Sequence, residues 1–158
     1  MAAKNQIGLD KIKSKTLADS LNNLLANYMM FYQNTRGLHW NIKGEKFFEL
    51  HLKFEELYTN LLLKVDEVAE RILTLGVTPL HAFDDYQNSA KIKSIKNVSN
   101  GEKGVQTILQ AFEVLIVEQR ELLKLLADAG DEGTNALMSD YIREQEKLVW
   151  MYSSFLKK

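Results

Sequence analysis

Cysteine is absent from this 158-residue chain, which excludes disulfides, zinc–thiolate sites and iron–sulfur ligation and points to a reducing compartment, the cytoplasm. One proline and eight glycines leave few places where a regular backbone must stop. Charge of one sign is missing as well. Twenty Lys and Arg residues against twenty-one Asp and Glu give a net charge of −1. That excludes a globally basic nucleic-acid binder and leaves only local basic patches open. Apolar runs extend over only a few residues, and the polar start Met1-Ala2-Ala3-Lys4-Asn5-Gln6 leads into no apolar stretch of signal-peptide length. Neither secretion nor membrane spanning is expected.

What the chain does have is helical periodicity throughout. Leu17, Leu21, Leu24, Tyr28 and Phe31 recur every three to four residues, and Thr16 followed by Asp19 reads as a capping-box-like start. This first helix is expected to end near Gly44, with Gly37 inside it costing roughly 1 kcal/mol of helix propensity. A second stripe, Phe47, Leu50, Phe54, Leu57, Leu61, Val65, Val68, Ile72 and Leu75, is closed by Gly76 and Pro79. A third runs from Val105 to Leu126 before Gly130, and a fourth from Leu137 to Phe155. The expected fold is all-α, a four-helix bundle in a single domain, residues 1–158. About 25 residues separate helices two and three, too many for a turn. A connection of that length can cross the bundle from end to end, the ferritin-like topology, and Asp84 to Lys91 is expected to form a short extra helix within it. Residues 1–15 read as a mobile basic N-terminal arm carrying Lys4, Lys11, Lys13 and Lys15.

The chemistry is concentrated on helix two. His51 and Glu55 are one turn apart, Asp66 and Glu70 are one turn apart, and the 11-residue step from Glu55 to Asp66 returns to nearly the same face. Imidazole nitrogen with hard carboxylate oxygen suits Fe(II) and Fe(III), with Zn and Mn as competitors. Each of these residues taken singly is more commonly a solvated or structural group, and acids at i, i+4 are frequent on soluble helices, so the pattern gains weight only as a set. His51 and Asp66 are fifteen residues apart, about 22 Å along a helix, so one metal cannot touch both. A di-iron centre inside one bundle would use Glu-x-x-His pairs, yet Arg36, Phe48 and Thr78 stand three residues before the histidines. If the two halves act together, a second copy of helix two must run antiparallel across the first, and two-fold symmetry then makes two equivalent sites.

His39-Trp40-Asn41-Ile42-Lys43-Gly44, then Leu50-His51, then Glu55 resembles the first signature of the Dps family of mini-ferritins, and Val65-Asp66-Glu67-Val68-Ala69-Glu70-Arg71 with Leu75-Gly76 and Pro79 resembles a second. The motifs cover residues 39 to 79, and the helix outline extends the likeness over nearly the whole chain. The resemblance implies a hollow homo-dodecamer with ferroxidase centres at two-fold interfaces, His39 and His51 coming from one subunit and Asp66 and Glu70 from its neighbour. It also implies that hydrogen peroxide oxidises Fe(II), which is stored as a ferric mineral and so kept from damaging the cell. Glu55 stands where relatives often have aspartate, which makes it the least secure of the five ligands. Trp40 adjoins a ligand, as in relatives where such a tryptophan takes up oxidising equivalents, although packing in the interior is the ordinary role of an indole.

His81 has no carboxylate at ligand spacing and reads as structural. Asp128, Asp131 and Glu132 lie where relatives line an iron-entry pore. An acid just inside a helix N-terminus is already explained by the helix dipole, so Asp128 is the better pore candidate. The methionines Met29, Met30, Met138 and Met151 read as core filler. No haem signature and no nucleotide-binding motif stand out. Relatives that condense DNA use a basic tail, and four lysines on each of twelve subunits would bind phosphate with strong salt dependence. A nucleoid-associated, DNA-compacting protein with secondary iron chemistry is therefore the alternative function.

Overall fold

The computed structural model describes residues 2–157. It contains five helices and, among the described residues, no strand: α1 (Lys11–Asn41), α2 (Phe47–Thr74), α3 (Phe83–Ser89), α4 (Gly101–Ala129) and α5 (Glu132–Leu156). The apolar stripes of the four long helices meet in one core, with Leu21, Tyr28, Phe31, Phe54, Ile108, Phe112 and Met138 each at most 1% exposed. The four-helix bundle with a short helix in the long connection is thus present, with α3 a residue earlier than expected and shorter. Of the methionines, Met138 is buried, whereas Met151 is 45% exposed and does not fill the core. No described helix is long and apolar enough to cross a membrane.

The start of α1 corrects the sequence reading. Asp10, not Thr16, is the cap, its carboxylate accepting from the N–H groups of Ile12 and Lys13 at 2.9 Å each. Thr16 lies inside the helix and donates back to the Ile12 carbonyl at 3.3 Å, as threonines in helix interiors do. The expected fifteen-residue arm is therefore shortened: Lys11, Lys13 and Lys15 are helical. Residues 2–10 fold back on the cap, with the Lys11 N–H bonded to the Ala3 carbonyl and the Asn5 side chain accepting from Ile7 and Leu9. Gly37 interrupts nothing, and α1 stops at Asn41, before the turn at Gly44. That glycine has φ +110°, a conformation L side chains avoid.

Three asparagines of α1 fix the path of the long connection. Asn22 accepts from the Leu80 N–H and Asn27 from the Ile92 N–H, while Asn34 donates to the Lys93 carbonyl and accepts from Ile95. Beyond the end of α1, the Lys43 N–H bonds the Ser99 carbonyl. From Asn22 to Lys43 is about 30 Å of helix rise, so the connection traverses the bundle. It starts where α2 ends and delivers α4 to the end where α2 began, making α2 and α4 parallel. Asparagine side chains are suited to this because the crossing backbone outside α3 has no strand or helix partner for its own polar groups.

The centre of the bundle is closed to metal. Tyr28 donates to Gln119 at 2.6 Å, Gln119 donates to Gln145 at 2.7 Å, and Gln145 donates to the Tyr28 hydroxyl at 2.6 Å, a ring of three neutral groups at most 1% exposed. Beside it Lys64, 4% exposed, donates to Glu144 and Asn60 and lies 4.9 Å from the Tyr141 ring centroid. A buried ammonium already supplies the positive charge there.

Candidate metal centre

The short turn between α1 and α2 brings His39 and His51 face to face, ring centroids 3.8 Å apart and planes 14° from parallel. Each imidazole uses Nδ1 on the other residue's backbone: His39 Nδ1 to the His51 carbonyl at 2.7 Å, His51 Nδ1 to the His39 carbonyl at 2.8 Å. A carbonyl only accepts, so both Nδ1 atoms must carry the proton, which leaves each neutral ring its Nε2 lone pair. The exchange also solves a local problem. The His39 carbonyl is among the last four of α1 and would pair with the Lys43 N–H, which is instead bonded to Ser99. His51 supplies the missing donor.

Glu55, one turn beyond His51, completes a three-ligand group. Side-chain ligand atoms of His39, His51 and Glu55 all lie within 4.8 Å of one another. His39 is 7% exposed while Glu55 is exposed, so the group opens outward from the bundle surface. Hydrogen bonding of Nδ1 to a carbonyl is the arrangement that fixes tautomer and aim for a metal ligand. Asp66 and Glu70 do not join it. Both are exposed on α2, and the helix rise keeps Asp66 about 22 Å from His51. Of the five candidate ligands the chain thus brings together His39, His51 and Glu55 and leaves Asp66 and Glu70 apart, further along α2.

Trp40 is not packed in the interior: it is 57% exposed, with the Arg36 guanidinium 4.9 Å from its ring centroid. The aromatic residues against the histidines are others. Phe47 stacks on His51 at 5.0 Å and 23°, and Tyr58 meets His39 edge-on at 5.2 Å and 78°. The i, i+4 spacing of Phe47 and His51 could have flagged the first, whereas Tyr58 reaches His39 only through the packing of α2 on α1.

Asp131 is taken out of the pore reading. It is 2% exposed and serves as the N-cap of α5, accepting from the Thr134 N–H at 3.0 Å, the Thr134 hydroxyl at 2.5 Å and Arg71 at 2.7 Å. Asp128 is exposed at the same turn, and its backbone carbonyl accepts from the Lys13 ammonium at 2.8 Å. Lys15 pairs with Asp19 on the surface, and Lys4 is bridged through its backbone to Asp10. His81 is exposed, with Nδ1 on the Pro79 carbonyl.

Comparison with known proteins places this geometry. Residues 18–158 match the family model of the ferritin-like domain. The chain therefore has the ferritin-like fold by sequence as well as by shape. A Dps protein from Vibrio cholerae O1, described as a member of a broad superfamily of ferritin-like diiron-carboxylate proteins, superposes with a TM-score of 0.97 at 57% identity over 99% of each chain. An uncharacterized protein of Haemophilus influenzae is 55% identical over 96% of this chain and 95% of its own, and the DNA protection during starvation protein of Porphyromonas gingivalis is 36% identical over 96% and 95%. The chain belongs to the Dps family of ferritin-like proteins.

Proposed function

We propose that the chain is the subunit of an iron-oxidising and iron-storing mini-ferritin. Its substrate Fe(II) binds at centres formed by His39, His51 and Glu55 of one subunit with Asp66 and Glu70 of a two-fold neighbour, in a hollow dodecamer in the cytoplasm. The observation that carries this reading is the three-ligand group at one end of α2, with both Nε2 lone pairs free, and two exposed acids on the same stripe at the other end. The rest of that face supports a second copy as the missing half. At 100° per residue, Phe48, Leu52, Leu62, Leu63 and Leu73 fall on the side of α2 that carries the ligands, and each is 48% exposed or more. A stripe of apolar side chains interleaved with ligands suits an isologous interface that buries the one and completes the other.

At such a centre two ferrous ions each give up one electron, and hydrogen peroxide takes the pair as its O–O bond breaks, leaving with two protons as water. Hard carboxylate oxygens favour the ferric product, which suits oxidation in place. The test replaces His39 and His51 by alanine together. Shells are expected to assemble, and Fe(II) to oxidise no faster than in buffer, read as ferric absorbance after peroxide addition; an unchanged rate overturns the assignment.

A second reading, DNA compaction with iron chemistry secondary, is favoured by the name of the Porphyromonas relative and by exposed Lys4, Lys11, Lys13 and Lys15 at one end of the subunit. Gel shifts at low and raised salt, with Lys4, Lys11, Lys13 and Lys15 intact or replaced by glutamine, separate the two functions.

A further inference from the structure

We infer that Phe47 and Tyr58 are positioning residues of the iron site, the two ends of an aromatic column that aims both imidazoles before iron arrives. The inference rests on the metal reading of His39 and His51 given above. The column runs Phe47, His51, His39, Tyr58, with centroid separations of 5.0, 3.8 and 5.2 Å. His39 occupies one face of His51 at 3.8 Å, so Phe47 has the other.

The need for end supports follows from histidine itself. Its ring torsion is broad, so a single hydrogen bond through Nδ1 leaves the ring free to tilt and to swing its Nε2 away. Each imidazole here has one such bond, to the other residue's backbone carbonyl, which anchors Nδ1 and leaves the tilt of the ring open. The rings are stacked with centroids 3.8 Å apart, so a tilt of one displaces the other. Phe47 and Tyr58 block the motion from outside, and they are themselves held. Phe47 packs on the core from the first residue of α2, one turn before His51, and Tyr58 meets Tyr32 edge-on at 6.0 Å beneath the Arg36 guanidinium. The consequence is that this half of the site is already shaped within one chain, while the partner's acids need only supply charge.

The experiment titrates the full chain, as assembled, with Co(II) alone and reads its visible absorption. Phe47→Leu and Tyr58→Leu are each expected to weaken binding roughly tenfold, the usual effect of losing a residue that orients a ligand. Tyr58→Phe, which keeps the ring, is expected to bind as the parent does. Nitrogen-15 spectra of the imidazoles should show Nδ1 protonated in the parent, and a mixture of tautomers in the two leucine variants. Phe31→Leu, a core truncation away from the column, controls for lost stability and should leave Co(II) affinity unchanged. Parental affinity and tautomers in both leucine variants overturn the inference, as does a loss that Phe31→Leu reproduces. If the His39→Ala, His51→Ala protein still gives the parental Co(II) spectrum, the metal reading itself fails and takes this inference with it.

Discussion

A centre shared between chains predicts that two dead proteins mixed together come back to life. In one parent His39 and His51 are both alanine; in the other Asp66 and Glu70 are. Within a single chain the two halves are about 22 Å apart, so neither parent can repair its own centre. Across a two-fold interface each centre takes histidines from one chain and acids from the other. When the parents are dissociated, mixed in equal amounts and reassembled, roughly half of the interfaces pair unlike chains. In each of those, one centre receives both intact halves and the other receives none. About a quarter of all centres are then complete, and the initial rate of ferric absorbance after peroxide should rise to about a quarter of the parental rate, from nothing in either variant alone. Mixed shells that remain as inactive as the variants would refute the shared centre. So would a rate equal to the mean of two partly active parents, since that is the behaviour of two separate sites on one chain.

Further outcomes follow from the bundle itself. Arg71→Ala strips the partner from a carboxylate, Asp131, whose side chain is 1% exposed, and should cost about 3 kcal/mol, measured by urea denaturation; a loss under 1 kcal/mol would mean that the Thr134 donors suffice. Asp10→Ala should lower stability by about 1 kcal/mol while Thr16→Ala changes it little, because only the first caps α1. Alkaline pH should unfold the protein steeply. Burial raises the Tyr28, Tyr141 and Tyr152 hydroxyls above the ordinary value of 10.0, nearby Glu67 adding to the effect at Tyr141 and Glu56 at Tyr152. With the folded pKa above the unfolded one, the stability is complete below pH 10 and falls above it by about 1.4 kcal/mol per pH unit for each tyrosine. Thermal melts from pH 9 to 11 should show that slope, and Tyr141→Phe should remove one tyrosine's share of it.

The four stripes and the crossover could be read from sequence because burial at a period of 3.6 is written directly into residue order, and because a 25-residue gap rules out a tight hairpin. The His51 and Glu55 pair was legible for the same reason. What was not legible depends on residues far apart in the chain. The helix dipole accounts for an acid at Asp131, but its ion pair with Arg71, sixty residues earlier, depends on how α2 packs beside the start of α5. Trp40 looked suited to the interior, but α1 carries it past the edge of the core, where Arg36 covers it instead. The start of α1 is not legible because Asp10 precedes the apolar periodicity, and a cap is defined by its hydrogen bonds rather than by its neighbours.

One physical choice links the interior of this bundle to its assembly. A ferritin-like bundle has space among its four helices for charged ligands, and here that space holds the Tyr28, Gln119 and Gln145 ring with the Lys64 ammonium beside it. Every polar group of the ring is paired with another protein group, so a metal entering would have to break bonds among groups 0 to 1% exposed and approach a buried cation. The candidate ligands His39 on α1 and His51 and Glu55 on α2 lie outside that interior, where one chain offers two imidazoles and a single carboxylate. That donor set is short of negative charge for a ferric ion, and the acids that would supply it lie out of reach on the same helix. In the proposed shared centre α2 meets a second α2 running the other way, and the exposed leucines and Phe48 on the ligand face give that meeting its driving force. On this reasoning a substitution such as Leu62→Glu, which touches no ligand, should abolish iron oxidation in step with the loss of dimers, and a monomer that still oxidised Fe(II) at the parental rate would break the link.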